Sequence, residues 1–113
     1  ARLVAEGFGH PRHVVAYQSA PPPGGVPWTG PDVLDAIDAA AAAGAQDILV
    51  QAVGFLVDHT EVTYDLDIEA GHRAAERGLR LTRAACVHDH PAFIAALADG
   101  IEAAWARIGA AAG

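Results

Sequence analysis

The chain predicts an α/β fold, with a parallel β-sheet in a three-layer α/β/α arrangement laid down in the order β-α-β-α-β-α. Three observations predict it. Apolar, β-branched runs alternate along the chain with segments of helical periodicity. One of those runs, Asp47–Val53, is almost continuously apolar, as a parallel strand covered on both faces must be. The helical segments carry end signals, a proline or acidic residue at the start and a glycine at the stop. With 113 residues, 52% of them hydrophobic, the chain has the size and apolar content of one domain. Crossovers between parallel strands are right-handed, which leaves few topologies open.

Each element has its own signal. Ala1–Phe8 reads as the last turns of a helix stopped by Gly7 and Gly9. His13–Ser19 is β-rich and reads as a buried strand. Ala20–Pro31 holds five prolines and three glycines and must be a loop, with Trp28 inside it as a lid or an aromatic platform. Pro31 suits a first helical position and Asp32 complements the helix dipole, while Val33, Leu34 and Ile37 form the apolar stripe of a helix stopped at Gly44. After the strand Asp47–Val53, the turn Gly54–Asp58 leads into a long helix ending near Arg77, with Gly78 as its cap. Leu79–Ala84 is a third strand. Asp89 or His90 caps a last helix from Pro91, in which Phe93, Ile94, Leu97, Ile101 and Trp105 recur at helical spacing. Three strands are few for a covered parallel sheet. Together with a mid-helix start and no Met, this leads us to expect residues 1–113 to be one domain of a longer chain.

Charge excludes several function classes. Seven arginines, no lysine and fourteen acids give a net charge of −7, which argues against nucleic acid or an anionic membrane as partner and is compatible with a cationic ligand. No apolar run is long enough for a transmembrane segment, and no secretory signal is visible, so a cytoplasmic location is expected. The single Cys86 excludes a disulfide framework within the chain and any all-cysteine metal site; it reads as a small buried hydrophobe at a strand end.

In such folds ligands sit beyond the carboxyl ends of the strands, which here are Gln18–Trp28, Gly54–Glu61 and Ala85–His90. The densest chemistry lies in Asp58-His-Thr-Glu-Val-Thr-Tyr-Asp-Leu-Asp-Ile-Glu69. Glu61, Asp65 and Glu69 are four apart and share one helix face, with His59 beside them. Carboxylates and imidazole at this spacing suit a borderline divalent metal or proton transfer. The same run also reads as a solvated acidic face, with Glu69–Arg73 an ordinary ion pair. Against that, the run follows a strand end through the apolar turn Gly54-Phe-Leu-Val, and neither Glu61 nor Asp65 has a basic partner within four residues. Gln18 and Ser19 could bond a ligand or satisfy the loop backbone. His88-Asp-His90 has a metal-like look, but two histidines without a third ligand are a weak signal and the stretch also serves as a helix cap. His10 and His13 read as surface residues.

Gln18-Ser19 followed by Val-Pro-Trp28, then Gly54-Phe-Leu-Val-Asp-His-Thr-Glu61, Tyr64-Asp-Leu-Asp-Ile-Glu69 and His90-Pro-Ala-Phe-Ile-Ala-Ala-Leu-Ala-Asp99, occur in that order. Together they resemble the C-terminal half of the ferrochelatases, enzymes that insert Fe²⁺ into a porphyrin, and within them the actinobacterial branch associated with coproporphyrin III. The resemblance implies a flavodoxin-like half of a class II chelatase, with porphyrin and ferrous iron as substrates and the N-terminal half of the same enzyme as partner. It implies no tightly bound cofactor, since iron is a substrate and Cys86 alone cannot hold an iron–sulfur cluster. It assigns Glu61 as the essential carboxylate and His59 as the histidine beside it, both catalytic. It places Ser19 and Trp28 near the porphyrin and implies Glu61, His59, Asp65 and Glu69 as metal-contacting residues, the last two on an acidic line that serves as a path for metal or protons. The helix there is locally π-type in the family. Departures are Ala20 where Lys or Arg is usual, Val57 where Ser or Cys is common, and no Thr-Ala-His-Ser motif, which belongs to the N-terminal half. An isolated half is expected to be inactive. Two other readings remain open: a small stand-alone chelatase of the sirohydrochlorin type, or a non-catalytic ligand- or metal-binding α/β module.

Overall fold

The computed structural model describes residues 1–10, 12–19, 27 and 29–111. Along the chain come α1 (Arg2–Phe8), α2 (Val33–Ala42), β1 (Asp47–Gln51), the short α3 (Thr60–Val62), a π-helical stretch Thr63–Glu69, α4 (Ala70–Glu76), β2 (Arg80–Ala84) and α5 (Pro91–Ala111). β1 and β2 pair in parallel, from Asp47 opposite Arg80 to Gln51 opposite Ala84. Gly9, Gly44 and Gly78 adopt left-handed φ values of 76°, 82° and 71° at helix stops, where a side chain would be strained.

α3, the π stretch and α4 form one continuous helical rod whose sequence repeats every four residues. Val62, Leu66, Ala70 and Ala74 are all buried, Val62 completely. An α-helix turns about 100° per residue, so a four-residue repeat drifts about 40° around the axis at each step. Widening to i→i+5 hydrogen bonding at Thr63–Glu69 winds the repeat back. The apolar repeat therefore stays against the sheet, and its neighbours Glu61, Asp65 and Glu69 stay together on another face. The π-type geometry implied by the family resemblance is present.

The buried residues form two adjoining clusters on one face of the sheet. Ile37, Ala70, Ala74 and Leu79 pack with Ile48 and Leu81, while Ala52, Val62, Leu66 and Cys86 pack with Val50 and Phe55. Val33, at the start of α2, touches both. Asp38 of α2 clamps α2 to α4, accepting hydrogen bonds from Arg73 Nη1 at 2.8 Å and from Arg77 Nε and Nη2 at 2.8 and 3.0 Å. The Arg77 hydrogen bond and the nearby guanidinium charges hold the Asp38 carboxyl below its ordinary pKa.

Three expectations are corrected. His13–Ser19 is not a buried strand: residues 12–19 are mostly exposed and make a single parallel bridge, Tyr17 to Asp32. The bridge consists of Tyr17 N–H to the Pro31 carbonyl at 2.9 Å and Val33 N–H to the Tyr17 carbonyl at 2.8 Å. It cannot lengthen, because Pro31 has no N–H to donate and Val33 already begins α2. Pro31 is consequently outside the helix, and Asp32 is the N-cap, accepting Leu34 N–H at 2.8 Å. Gly7 lies within α1 and only Gly9 caps it.

The α/β class and the parallel sheet stand, but among the described residues helices cover one face of the sheet only. Leu49, paired opposite Thr82 on the other face, is 55% exposed. Successive right-handed crossovers made in one direction put their helices on one face, and a helix reaches the other face only where the strand order reverses. α5 does not supply that layer: Ile94, Leu97, Ile101 and Ile108 are exposed and Trp105 is 73% exposed.

Urea unfolding of the 113-residue chain should separate the two faces. Leu66→Ala should cost about 2–4 kcal/mol through lost burial and a residual cavity, whereas Leu49→Ala should cost less than about 0.5 kcal/mol. Equal losses would show that the outer face is covered in this chain.

Candidate functional site

The candidate site is assembled where the helical rod begins. β1 ends at Gln51, and the turn over residues 52–59 delivers His59 as the N-cap of α3. His59 has extended backbone and its Nδ1 accepts the Glu61 N–H at 3.2 Å. A backbone amide only donates, so Nδ1 is the acceptor and Nε2 carries the proton of the neutral ring. The ring is also held by an edge-to-face contact with Phe55, centroids 4.7 Å apart. Thr63 Oγ1 donates back to the His59 and Thr60 carbonyls at 3.1 and 3.2 Å, closing the first turn.

Glu61 and Asp65, one turn apart, are bridged from the other side of the site. Ser19 Oγ lies 2.5 Å from Glu61 Oε1 and 2.7 Å from Asp65 Oδ2. Gln18 Nε2 donates to the same Asp65 oxygen at 3.4 Å. Ser19 reaches this position through a left-handed backbone, φ 62°, which is uncommon for a serine and holds its hydroxyl between the two carboxylates. The hydroxyl has one proton to share between them. Glu69 stands one turn further on, at a cavity of about 280 Å³ whose other polar lining is Gln18, Ser19, Asp32 and Asp65. A wider hollow, mostly apolar, opens beside Glu61 between residues 12–19 and β1.

Thus Ser19, Glu61 and Asp65 come together, with His59 at the same helix start and Glu69 along the cavity wall. Among the described residues no three His, Cys, Asp or Glu side chains converge closely enough to hold a metal ion. Trp28 and Ala20 lie outside the described residues. His88 and His90 do not form a metal pair. His90 Nδ1 accepts the Ala92 N–H at 3.3 Å at the start of α5, and His88 Nε2 donates to Asp58 Oδ2 at 3.0 Å. Glu69–Arg73 is not the ion pair of the helix, because Arg73 is turned to Asp38.

Arg83 escaped the sequence reading. It lies on β2 opposite Val50, on the face covered by helices, and its side chain is only 12% exposed. Its Nη1 donates to Asp58 Oδ1 at 2.8 Å, and its Nε and Nη2 donate to the two oxygens of Asp67 at 2.5 and 3.0 Å. The only signal available was an arginine at an inward strand position with two acids in the run before it, separated from them by a whole helix. Cys86 is buried as expected, and burial pushes its thiol pKa up.

Asp58 has a pKa well below the carboxylate range, held there first by the His88 hydrogen bond and then by Cys86 and Arg83. The unfolded chain therefore takes up the proton first. The Asp58 carboxylate stabilises the fold fully above its unfolded pKa near about 4, and the contribution is lost as pH falls toward the lowered folded value. Acid titration of stability should accordingly show a steep loss below pH of about 4. Asp58→Asn should flatten that slope, and an unchanged slope would remove Asp58 as its source.

The sequence profile of the family described as Ferrochelatase matches residues 1–104. The chain is 46% identical over 110 residues to a ferrochelatase of Thermus thermophilus, covering 95% of this chain and 33% of that protein. It is 44% identical over 104 residues to a coproporphyrin III ferrochelatase of Propionibacterium freudenreichii, covering 92% and 29%. A coproporphyrin III ferrochelatase of Mycolicibacterium vanbaalenii is 41% identical over 100 residues, covering 88% and 30%. The chain spans about a third of the length of these relatives. With the profile covering nearly all of it and these identities, the chain belongs to the ferrochelatase family.

Proposed function

We propose that this chain is the carboxyl-terminal part of a ferrochelatase that inserts Fe²⁺ into coproporphyrin III, giving coproheme, in the cytoplasm. The observation that carries the reading is the Ser19 bridge between Glu61 and Asp65, set beside His59 at the start of a π-containing helix. Metal insertion exchanges Fe²⁺ for two pyrrole N–H protons, so the site needs proton acceptors next to the macrocycle and a way to move the protons out. Glu61 is the first acceptor. Ser19 and Asp65 continue the line, and Glu69 extends it along the cavity wall.

His59 acts in proton handling and in setting the helix start. While Nδ1 holds the Glu61 amide, the ring offers an N–H at Nε2; binding iron through Nε2 would require surrendering that cap. Iron contacts therefore fall to Glu61, Asp65 and Glu69, which suit a passing Fe²⁺ that is substrate rather than resident cofactor. Apolar surface beside Glu61 suits a flat macrocycle, and Trp28 is assigned to the same wall from the resemblance alone. No tightly bound cofactor is proposed.

The opposite wall and the remaining catalytic groups come from the amino-terminal two thirds of the protein. The apolar stripe of α5 and the exposed outer face of β1 are surfaces for that part to cover. No described helix is long and apolar enough to cross a membrane.

Metalation is read directly from the porphyrin absorption bands under anaerobic conditions. The intact protein should convert coproporphyrin III with Fe²⁺, and the 113-residue chain should not. Turnover by the chain alone would sink the split-site reading. Glu61→Gln in the intact protein should lower kcat by about 10²- to 10⁴-fold; near-normal turnover would remove Glu61 as proton acceptor. Ser19→Ala removes a charge-assisted hydrogen bond worth about 1.5–3 kcal/mol and should slow turnover roughly 10-fold or more. An unaffected rate would reduce Ser19 to a loop residue.

A further inference from the structure

Arg83 rises from β2 onto the face where Ile48, Val50 and Leu81 are apolar, an expensive place for a charge unless it is fully paired. It is paired twice. One arm of the guanidinium holds Asp58, immediately before His59, and the other two nitrogens hold Asp67 within the π-helical stretch. His59, Glu61 and Asp65 all lie between those two anchor points. Asp58 is further fixed by the Cys86 N–H at 3.2 Å and by His88 Nε2, while the His88 N–H donates to the Leu56 carbonyl at 2.8 Å. The segment that ends β2 is thereby stitched to the turn that presents the site.

We propose that Arg83 is a positioning residue for the His59–Glu61–Asp65 site: by gripping Asp58 and Asp67 with one planar fork, it sets the angle at which the helix start and the π stretch meet the substrate. The proposal rests on the functional reading above. Lysine cannot replace it, because a point charge cannot serve two carboxylates in fixed directions. The capping bond from Glu61 N–H to His59 Nδ1 depends on this angle and reports on it.

The test uses the intact protein with Arg83→Lys, and with Asp67→Asn as a milder second variant that keeps the Arg83–Asp58 contact. Folded content is followed by circular dichroism, metalation by the porphyrin bands, and the His59 ring by ¹⁵N imidazole NMR. Arg83→Lys should lower kcat by about 10- to 100-fold, as a misplaced catalytic group does, with the porphyrin KM within about two-fold. The His59 Nδ1 resonance should lose its hydrogen-bonded acceptor signature. Asp67→Asn should show a smaller change of the same kind, and it decides the matter if Arg83→Lys does not fold. Wild-type kcat in the folded variants, or a loss that only tracks folded content, would overturn the proposal. A wild-type protein that does not metalate coproporphyrin III would overturn the functional reading instead. The His59 resonance then decides positioning by itself: a change on Arg83→Lys supports it and an unchanged signal overturns it.

Discussion

The burial of Val62, Leu66, Ala70 and Ala74 against the sheet is the constraint on which the rest of the structure depends. A strict four-residue apolar repeat cannot remain on one face of an unbroken α-helix, and the π stretch is the geometry that lets it. The same widening keeps Glu61, Asp65 and Glu69 aligned. One backbone adjustment thus serves both the core and the acidic face, and neither can be altered without moving the other. Leu66, flanked in sequence by Asp65 and Asp67, is buried in the second cluster, so the core packing and the acids share one stretch of helix.

Charge pairing divides the acids of this chain into two groups. Asp38, Asp47, Asp58 and Asp67 are each met by arginine: Asp38 by Arg73 and Arg77, Asp47 by Arg80, and Asp58 and Asp67 by Arg83. These pairs tie α2 to α4, one strand start to the other, and β2 to the helix. Glu61 and Asp65 are met by a serine hydroxyl and an amide instead. These four arginines thus join elements of the fold, while Glu61 and Asp65 at the candidate site are left with neutral hydrogen-bond partners. A net charge of −7 is therefore unevenly distributed in its consequences.

The elements that were legible in the sequence were those whose signals are local. Helical periodicity with a glycine stop placed α2 and α4, a nearly continuous apolar run placed β1, and the stretch after Gly78 placed β2. Proline after a capping residue placed α5, with His90 as the cap. The acidic repeat and His59 were legible because four-residue spacing places side chains on one helix face wherever the helix packs. His13–Ser19 was misread because strand formation needs a partner edge, and Pro31 together with the start of α2 leaves room for a single bridge. Pro31 was placed two residues too deep for a related reason, since its carbonyl is engaged by Tyr17.

Taken alone, the sequence determined the α/β class, the positions of the helices and of the paired strands, and the family to which the motifs belong, because periodicity, caps and motif order are properties of neighbouring residues. Tertiary structure decided which carboxylates meet arginines and which meet neutral groups. The Ser19 bridge joins residues 42 and 46 positions apart, and the Arg83 fork reaches back 25 and 16 positions. Contacts of that separation depend on the register of β1 with β2 and on the face the helical rod presents. No local pattern encodes either one, because both arise only when the apolar repeat has been pressed against the sheet.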